Sequence, residues 1–513
     1  MSTTKLQKKR IATSCITLPL KKEVLEEIVD KAKDWALMHG AAMRSRTKYE
    51  HDTLTLAPFI LLPSPLPKSE FEKAVAIQPT LNELMHKVAH DYDFLKESLK
   101  DTIEVDDFTK NLFDIYEIIH SEGAAQLLSL GLIRSDLMLE SVCPNVDDIS
   151  NLQLDDLEQS DDNHFRTYCC WKQVEINTIA SGFGWLGPIS AAIQRFVLSE
   201  LGYYEKLKNL PDNNALSGLC QGMIKAWELY NTKSAVIMFL VEDVTYNICD
   251  QRFHEFEIHR LNRDIKVIRR TLTQVANNAK LGPNKQLLID GCEVAVIYFR
   301  AGYEPGHYHS QKEWDARLLM ERSLAIKCPS IHYHLAGTKK VQQALARPNT
   351  LDKYLKTPEA IASVNEIFTG LYSLDFDEYG ERAIKMAMEN PERYVLKPQR
   401  EGGGNNVYGN DIRDVLLKMK DTPERTAWIL MDKINPPFTQ GYMIRPNNPG
   451  LPEIVDLVSE LGIFGAIIGN ADTILYNKQL GHMLRTKLST SNEGGVAVGI
   501  GALDSPYLID DMD

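Results

Sequence analysis

Residues Tyr394 to Gly409 read YVLKPQREGGGNNVYG. The apolar, partly β-branched start, Tyr394-Val395-Leu396, has strand composition, and Lys397 follows it. Arg400, Glu401, the consecutive Gly402, Gly403 and Gly404, and the pair Asn405-Asn406 come next. Three glycines in a row would each cost backbone entropy inside a helix or strand. They mark a loop whose bare backbone can approach a ligand closely. A lysine at a strand end, a carboxylate and free N–H groups are the parts a nucleoside triphosphate requires. The lysine offsets phosphate charge, the carboxylate holds Mg²⁺ and the amides cover the phosphates. The other reading of these residues is a glycine-rich hairpin tip with a charged flank, because an isolated glycine loop is a weak signal.

The surrounding chain has 513 residues, enough for roughly two to four domains. Its hydrophobic content of 44% and charged content of 25% suit a globular protein that folds in water. A net charge of −13 argues against a nucleic-acid or membrane-surface binder, although a few local cations can still hold an anion. No unbroken apolar run reaches membrane-spanning length; Leu54 to Leu66 is interrupted by Pro58, Pro63 and Pro65. The start, MSTTKLQKKRIATSC, is basic and polar and lacks the apolar segment of a signal peptide. This places the protein in the cytoplasm, or outside the cell had a leader been removed. The eight cysteines are scattered without a C-x-x-C pair and read as reduced thiols. His307/His309 and His332/His334 have metal-ligand spacing, but no cysteine or carboxylate cluster accompanies them.

Helical periodicity covers Lys21 to His39, stopped by Gly40, then Lys68 to Leu99 and Phe108 to Leu132. Pro58 to Pro67 reads as a proline-punctuated connection and Val146 to Asp162 as a solvated acidic loop. Strand-like runs occur at Gln173 to Ile176, Ala235 to Val241, Ile265 to Ile268, Glu293 to Phe299 and Ala427 to Met431. Ala235 to Val241 is apolar throughout, as a buried parallel strand would be. Helical patterns at Ala215 to Tyr230, Arg252 to Asn262 and Trp314 to Ala325 fall between these runs. Lys353 to Asn390 is mostly helical, and short strands and turns fill the chain from Tyr394 on. The alternation predicts an α/β fold.

Further stretches carry chemistry. Glu175 and Asn177 share one face of a strand, and a carboxylate beside an amide oxygen suits a hard cation. The same pair could equally face solvent on an edge strand. Arg300, in YFRAGY, ends a strand before a glycine turn and could clamp a carboxylate or make an ordinary salt bridge. AWILMDK, from Ala427, is an apolar strand with a polar end. LRTK, with Arg485 and Lys487, precedes a second glycine loop, Glu493 to Gly499. That loop is a C-terminal hairpin, or a lid that joins the first loop in excluding water from a reactive intermediate. Gly337-Thr338-Lys339-Lys340 lacks the glycine spacing of a Walker A motif, and no G-x-S-x-G or kinase motif set occurs.

KPQREGGGNN from Lys397 resembles the phosphate loop of the eukaryotic glutathione synthetases, members of the ATP-grasp superfamily. IKAWELY from Ile224, CPSIHYHLAGTKKVQQAL from Cys328, SELGIFG from Ser459, LRTK from Leu484 and GGVAVG from Gly494 resemble the same family. The likeness runs over nearly the whole chain. It implies an ATP-grasp fold with a mobile lid and a parallel-sheet substrate domain. The expected divisions are 1–233 (N-terminal part of the main body, helical, with the strand of the metal and dipeptide site), 234–340 (α/β substrate-binding domain) and 341–513 (lid and C-terminal main-body segment with the two glycine-rich loops). The implied enzyme is an ADP-forming ligase that joins γ-glutamylcysteine to glycine with ATP and two Mg²⁺ ions, as a cytosolic homodimer. By position, Glu175, Asn177 and Glu401 match the family's metal ligands. Glu175, Lys327, Lys397, Gly402, Gly403, Gly404, Asn406, Tyr408, Met431, Asp432, Lys433, Ile434, Glu460, Lys487 and Glu493 match ATP contacts. Arg134, Ala180, Ser181, Gly182, Thr245, Asn247, Gln251, Arg300, Tyr303 and Arg485 match substrate contacts, and Val496 with Ala497 match the loop that closes over glycine. The resemblance gives Arg485, Lys397 and Glu401 the catalytic roles, with Arg485 stabilising the developing oxyanion. Cys328 is structural on this reading.

The nucleotide half keeps the family pattern and the dipeptide half departs from it. Ala180 and Gly182 stand where hydroxyls are usual, with Ser181 between them. Thr245-Tyr246 replaces an acidic-basic pair, Ala301 replaces an acid, and Trp185 is expected to add bulk. A buried ammonium needs a charged partner, and one lost charge-assisted hydrogen bond costs about 1.5–3 kcal/mol. These changes point to a divergent paralogue with altered dipeptide specificity or weak glutathione synthesis, unless neighbours compensate. A non-catalytic ATP-binding interaction protein is a third reading; intact Glu175, Asn177, Lys397 and Glu401 argue against it.

Overall fold

The computed structural model describes residues 11–45, 48–141, 170–401, 404–448, 450–496 and 500–510. Gly402, Gly403, Ala497 and the acidic stretch Val146 to Asp162 lie outside the described residues. At the centre is an eight-stranded sheet. Its order is Ile11–Ala12, Phe438–Ile444, Phe59–Ile60, Ala502–Asp504, Ile474–Leu488, Ile454–Gly469, Ser129–Glu140 and Cys170–Asn177. Ile454–Gly469 and Ile474–Leu488 are 16 and 15 residues long and pair along almost their full length.

Every residue of Ser129–Glu140 is buried, because a helix covers each face. Ile133, Leu137, Ile463 and Ile467 pack with Leu81, Leu84 and Met85 of the helix Lys68–Ala89. Leu130, Leu132, Phe464, Ala466 and Ile468 pack with Leu219 and Met223 of the helix Ala215–Tyr230. The alternation of side chains along each strand makes this division.

A second sheet sets Val267–Arg270, Val236–Leu240, Cys292–Phe299 and Ile326–Cys328 parallel, with the hairpin Ala279–Leu281 and Leu287–Ile289 antiparallel on Cys292–Phe299. A third, antiparallel sheet runs Leu371–Ser373, Trp428–Asp432, Tyr394–Pro398, Val407–Tyr408. No described helix is long and apolar enough to cross a membrane.

The elements expected at Lys21 to His39, Ala215 to Tyr230, Ala235 to Val241, Glu293 to Phe299 and Ala427 to Met431 occur within a residue or two of those bounds. Arg252 to Asn262 corresponds to Ile248–Leu261, Trp314 to Ala325 to Gln311–Glu321 and Gln173 to Ile176 to Cys170–Asn177. Lys68 to Leu99 forms two helices, Lys68–Ala89 and Tyr92–Leu99, because Asp91 caps a new start by accepting from the Phe94 N–H. Phe108 to Leu132 splits into the helix Asp107–Glu122, ended at Gly123, and the strand that opens at Ser129. Pro58 to Pro67 holds the short strands Phe59–Ile60 and Ser64–Pro67. The strand expected at Ile265 to Ile268 runs Val267–Arg270. The C-terminal part holds the two long strands and a helix, Asp411–Met419, rather than short strands and turns alone.

His482 lies inside the long strand Ile474–Leu488, buried, with its ring edge-on to Phe71 at 5.0 Å. Its Nε2 has no hydrogen-bond partner among the described residues. Burial pushes the imidazole down from 6.5 to about 3. An unfolded chain protonates this ring below pH 6.5 while the folded chain leaves it neutral, so stability is lost as pH falls. His482→Gln, uncharged at every pH, should lose about 2 kcal/mol less stability than the parent between pH 7 and pH 5. Urea unfolding at the two pH values measures the difference; an unchanged pH dependence would contradict it.

Candidate active site

Sheet register gathers the charged side chains. Arg134 lies opposite Asn177 and Asp136 opposite Glu175. Glu460 lies opposite Arg485, and Gly462 opposite both Met483 and Asp136. Asp136 is fully buried and receives Arg134 through two hydrogen bonds, Nε to Oδ1 at 2.6 Å and Nη2 to Oδ2 at 2.7 Å. Asn177 Nδ2 donates to the same Oδ2 at 3.0 Å, and Arg485 Nη2 stands 3.6 Å from it. Arg485 donates to Glu460 Oε1 at 2.5 Å, while its buried Nε has no partner among the described residues. A Cβ at Gly462 would come within 2.9 Å of both Arg134 Cδ and Asp136 Oδ1. The glycine of SELGIFG thus leaves the space that the ion pair fills.

A second group of charges meets this one from the third sheet. The strand Tyr394–Pro398 delivers Lys397, buried, whose Nζ donates to the Val174 carbonyl at 3.0 Å. Lys339 opens the helix Lys339–Leu345. Its ammonium lies 3.3 Å from Glu401 Oε1 and 3.8 Å from Glu175 Oε2, and donates to the Arg400 carbonyl at 2.6 Å. Burial works against charge on Glu175, yet Lys339, Lys397 and Arg485 together hold its carboxyl down at about 2. Burial pushes Glu401 up, with Lys339 opposing and Glu175 adding to the rise. Burial also pushes Lys397 down. Two neighbouring carboxylates are thereby driven to opposite sides of their ordinary range.

Glu175, Asn177 and Glu401 form an all-oxygen donor set, and the shared Lys339 ammonium shows that both carboxylates reach one cation. Among the described residues no group of three His, Cys, Asp or Glu could hold a metal by itself. The set fits a hard ion that draws its other ligands from phosphate oxygens and water.

These groups open on a cavity of about 1070 Å³. Arg134, Glu175, Asn177, Ala180, Ser181, Gly182, Asn247 and Tyr303 line it, as do Lys397, Glu401, Asn406 and Tyr408. So do Met431, Asp432, Lys433, Ile434, Glu460, Arg485, Lys487, Glu493 and Val496. Glu493 links the two glycine loops: it accepts from the Gly404 N–H at 3.1 Å and from the Tyr408 hydroxyl at 3.3 Å. Four expected contacts lie behind the wall. Lys327 donates to the Glu321 and Ser323 carbonyls at 3.3 and 3.1 Å. Thr245 and Gln251 both accept from Arg269 Nη2, at 3.0 and 2.9 Å. Arg300 holds the Ala180 carbonyl at 3.1 Å and Asp250 Oδ2 at 3.4 Å. Trp185 does not narrow the pocket: its indole donates to the Gly40 carbonyl at 3.0 Å and stacks on Phe253 at 3.7 Å.

Three residues with clear roles here were not anticipated. Lys339 offered only its place in the TKKVQQ motif. Asp136 offered one acid beside Arg134 and Ser135 between apolar residues, in LGLIRSDLML. Asp250 accepts from the N–H groups of Phe183 and Trp185 at 2.9 Å each and shapes the loop after Ile179. In that loop Ala180 and Phe183 take φ values of 51° and 77°.

The sequence pattern of the eukaryotic glutathione synthase ATP-binding domain matches residues 22–508. The chain belongs to the eukaryotic glutathione synthetase family, a family of ATP-dependent ligases. It is 43% identical over 489 residues to a glutathione synthetase of Xenopus laevis, covering 95% of this chain and 98% of that one. It is 42% identical over 499 residues to that of Homo sapiens, with 97% and 100% covered. A chloroplastic glutathione synthetase of Solanum lycopersicum is 38% identical, with 95% and 85% covered. A solved structure of a glutathione synthetase-like effector from Globodera pallida, in its apo form, superposes with a TM-score of 0.73 at 25% identity, covering 96% and 98% of the two chains. The mixed α/β architecture is of the ATP-grasp type, as the resemblance implied.

Lys339→Ala leaves Glu175 and Glu401 facing each other without their shared cation. Stability in a chelator should fall by about 3 kcal/mol, and adding Mg²⁺ without nucleotide should restore part of it. Urea unfolding with and without Mg²⁺ measures both effects. Equal stability of variant and parent, or no response to Mg²⁺, would contradict the arrangement.

Proposed function

We propose that this protein joins the cysteinyl carboxylate of γ-glutamylcysteine to the amine of glycine, converting ATP to ADP and phosphate. The meeting of Lys397, Glu401, Glu175 and Arg485 in one cavity, in a chain of this family, supports that reading. A carboxylate is a poor electrophile and must first be activated. Its oxygen attacks the γ-phosphorus of ATP and ADP departs, leaving an acylphosphate. Glycine's amine then attacks the acyl carbon, phosphate departs with the former carboxylate oxygen, and an amide remains. Positioning and charge neutralisation supply most of the catalysis in such transfers, so no side-chain nucleophile is needed.

Lys397 offsets charge on the transferring phosphoryl group. Arg485, which lines the cavity, faces the carbonyl oxygen as it gains charge. Glu175, Asn177 and Glu401 would hold two Mg²⁺ ions, whose contribution is to neutralise the triphosphate. Glu493, joining the two glycine loops, helps exclude water from the acylphosphate. Val496 borders the space for glycine. Behind the wall, Thr245, Gln251 and Arg300 act through Arg269 and the Ala180 loop. Residues 1–233 and 341–513 would supply the metal ligands, most of the nucleotide contacts and part of the dipeptide site, and 234–340 the rest of the dipeptide site, in a cytosolic homodimer.

A second reading keeps the mechanism and changes the peptide. Thr245 engaged with Arg269, and a methyl at Ala301 where the family carries an acid, favour it.

Turnover separates the readings. Mg²⁺, ATP, glycine and γ-glutamylcysteine should yield ADP and glutathione in equal amounts, and Lys397→Ala should abolish both while its circular dichroism shows that the fold is kept. ADP release with other γ-glutamyl or related dipeptides, but not with this one, would favour the second reading. No nucleotide turnover with any carboxylate would overturn both.

A further inference from the structure

The parallel strands Val236–Leu240 and Cys292–Phe299 are neighbours, and their carboxyl ends open on the same part of the cavity. Ligands bind at such strand ends in α/β sheets. Glu242 follows the first strand; Ala301 and Tyr303 follow the second. Glu242 is partly buried and lines the cavity. Its Oε1 accepts from the Tyr303 hydroxyl at 2.8 Å and lies 3.5 Å from His307 Nε2. Its Oε2 has no partner among the described residues.

The charge on Glu242 is not matched locally. His307 Nδ1 accepts from the Gly302 N–H at 3.0 Å, so Nε2 is the donor on the Glu242 side, and that nitrogen is shared with Glu304 Oε1, also at 3.5 Å. Arg300 bears on Glu242 from further away, but its guanidinium is hydrogen-bonded to Asp250 and the Ala180 carbonyl. Arg269 is paired with Glu255 at 2.7 Å. Burial works against the Glu242 charge, yet hydrogen bonds from His307 and Tyr303 hold its carboxyl below the ordinary range. A pinned carboxylate with one open oxygen on a cavity wall calls for a cation from the ligand.

We propose that Glu242, oriented by Tyr303 and His307, binds the α-ammonium of the γ-glutamyl end of the substrate, in place of acids at positions 245 and 301. The inference rests on the γ-glutamyl reading above. A substrate with this ammonium is favoured over one without it, and Asn247, on the same stretch of wall, completes the polar surroundings.

The test compares γ-glutamylcysteine with glutarylcysteine, which has the same skeleton without the ammonium, on the parent and on Glu242→Gln. The parent should prefer the ammonium-bearing peptide. Glu242→Gln should raise its KM about tenfold and leave the glutarylcysteine and ATP values unchanged. Retained discrimination in the variant, or an equal loss for both peptides, would overturn the proposal. Calorimetric binding of the two peptides without ATP gives a readout independent of turnover. Ammonium-dependent binding that Glu242→Gln removes, without turnover, sustains the role of Glu242 and overturns the synthesis reading. Turnover with unchanged discrimination does the reverse. A parent that neither binds nor turns over the γ-glutamyl peptide overturns both.

Discussion

Asp136 is a carboxylate with no access to water, and the rest of the site follows from how it is matched. An unmatched buried charge would cost several kcal/mol. Here two hydrogen bonds from Arg134, one from Asn177 and the nearby charge of Arg485 offset part of that cost, while burial still lifts the carboxyl to about 6. Each partner comes from a fixed register position on the central sheet. A slip of one residue would turn Asp136 into an apolar layer and scatter its partners. Long fully paired strands and the open space at Gly462 are the structural means of preventing that slip. The same pairing aims Arg485 and Asn177 at the cavity, so the interaction that stabilises the sheet also orients groups for chemistry.

The phosphate side is held by a different balance. Burial alone would neutralise Glu175, Glu401 and Lys397, but they are close enough to keep Glu175 charged. Lys339 is the cation common to both carboxylates, and a metal-nucleotide complex would bring cations of its own to the same oxygens. The glycine loops meet through Glu493 at the rim. The site therefore joins a rigid floor on the central sheet to a wall and rim carried by the smaller sheet and the loops.

Local sequence carried several elements well. The strand before Lys397, the buried parallel run near Val236 and the amphipathic first helix each have a periodicity or punctuation that stands alone. Ser129–Glu140 and the two long C-terminal strands were illegible for one shared reason. Ser129–Glu140 and most of Ile454–Gly469 are buried on both faces and show no alternation of polar and apolar residues, while Ile474–Leu488 is buried continuously only from Leu480 to Leu484 and is partly exposed before that, so none of the three carries a strand period. Asp136 and Lys339 were missed because each acts through a partner distant in sequence. Trp185 was misjudged because proximity in the chain to Ala180 says nothing about where an indole points, and Phe253 and Gly40 draw it away. The departures at Thr245 and Ala301 were visible, but their meaning depended on Arg269 and Glu242, which only the fold brings near.

Activation of a carboxylate as an acylphosphate is the claim that gives Lys397, Glu401 and Arg485 their common purpose. Oxygen tracing tests it most directly. The peptide that supports turnover, labelled with ¹⁸O in its reacting carboxylate, is converted with Mg²⁺, ATP and glycine, and the released phosphate is examined by mass spectrometry. Transfer of one labelled oxygen into phosphate for each amide formed is the predicted result. Amide formation with unlabelled phosphate would contradict it.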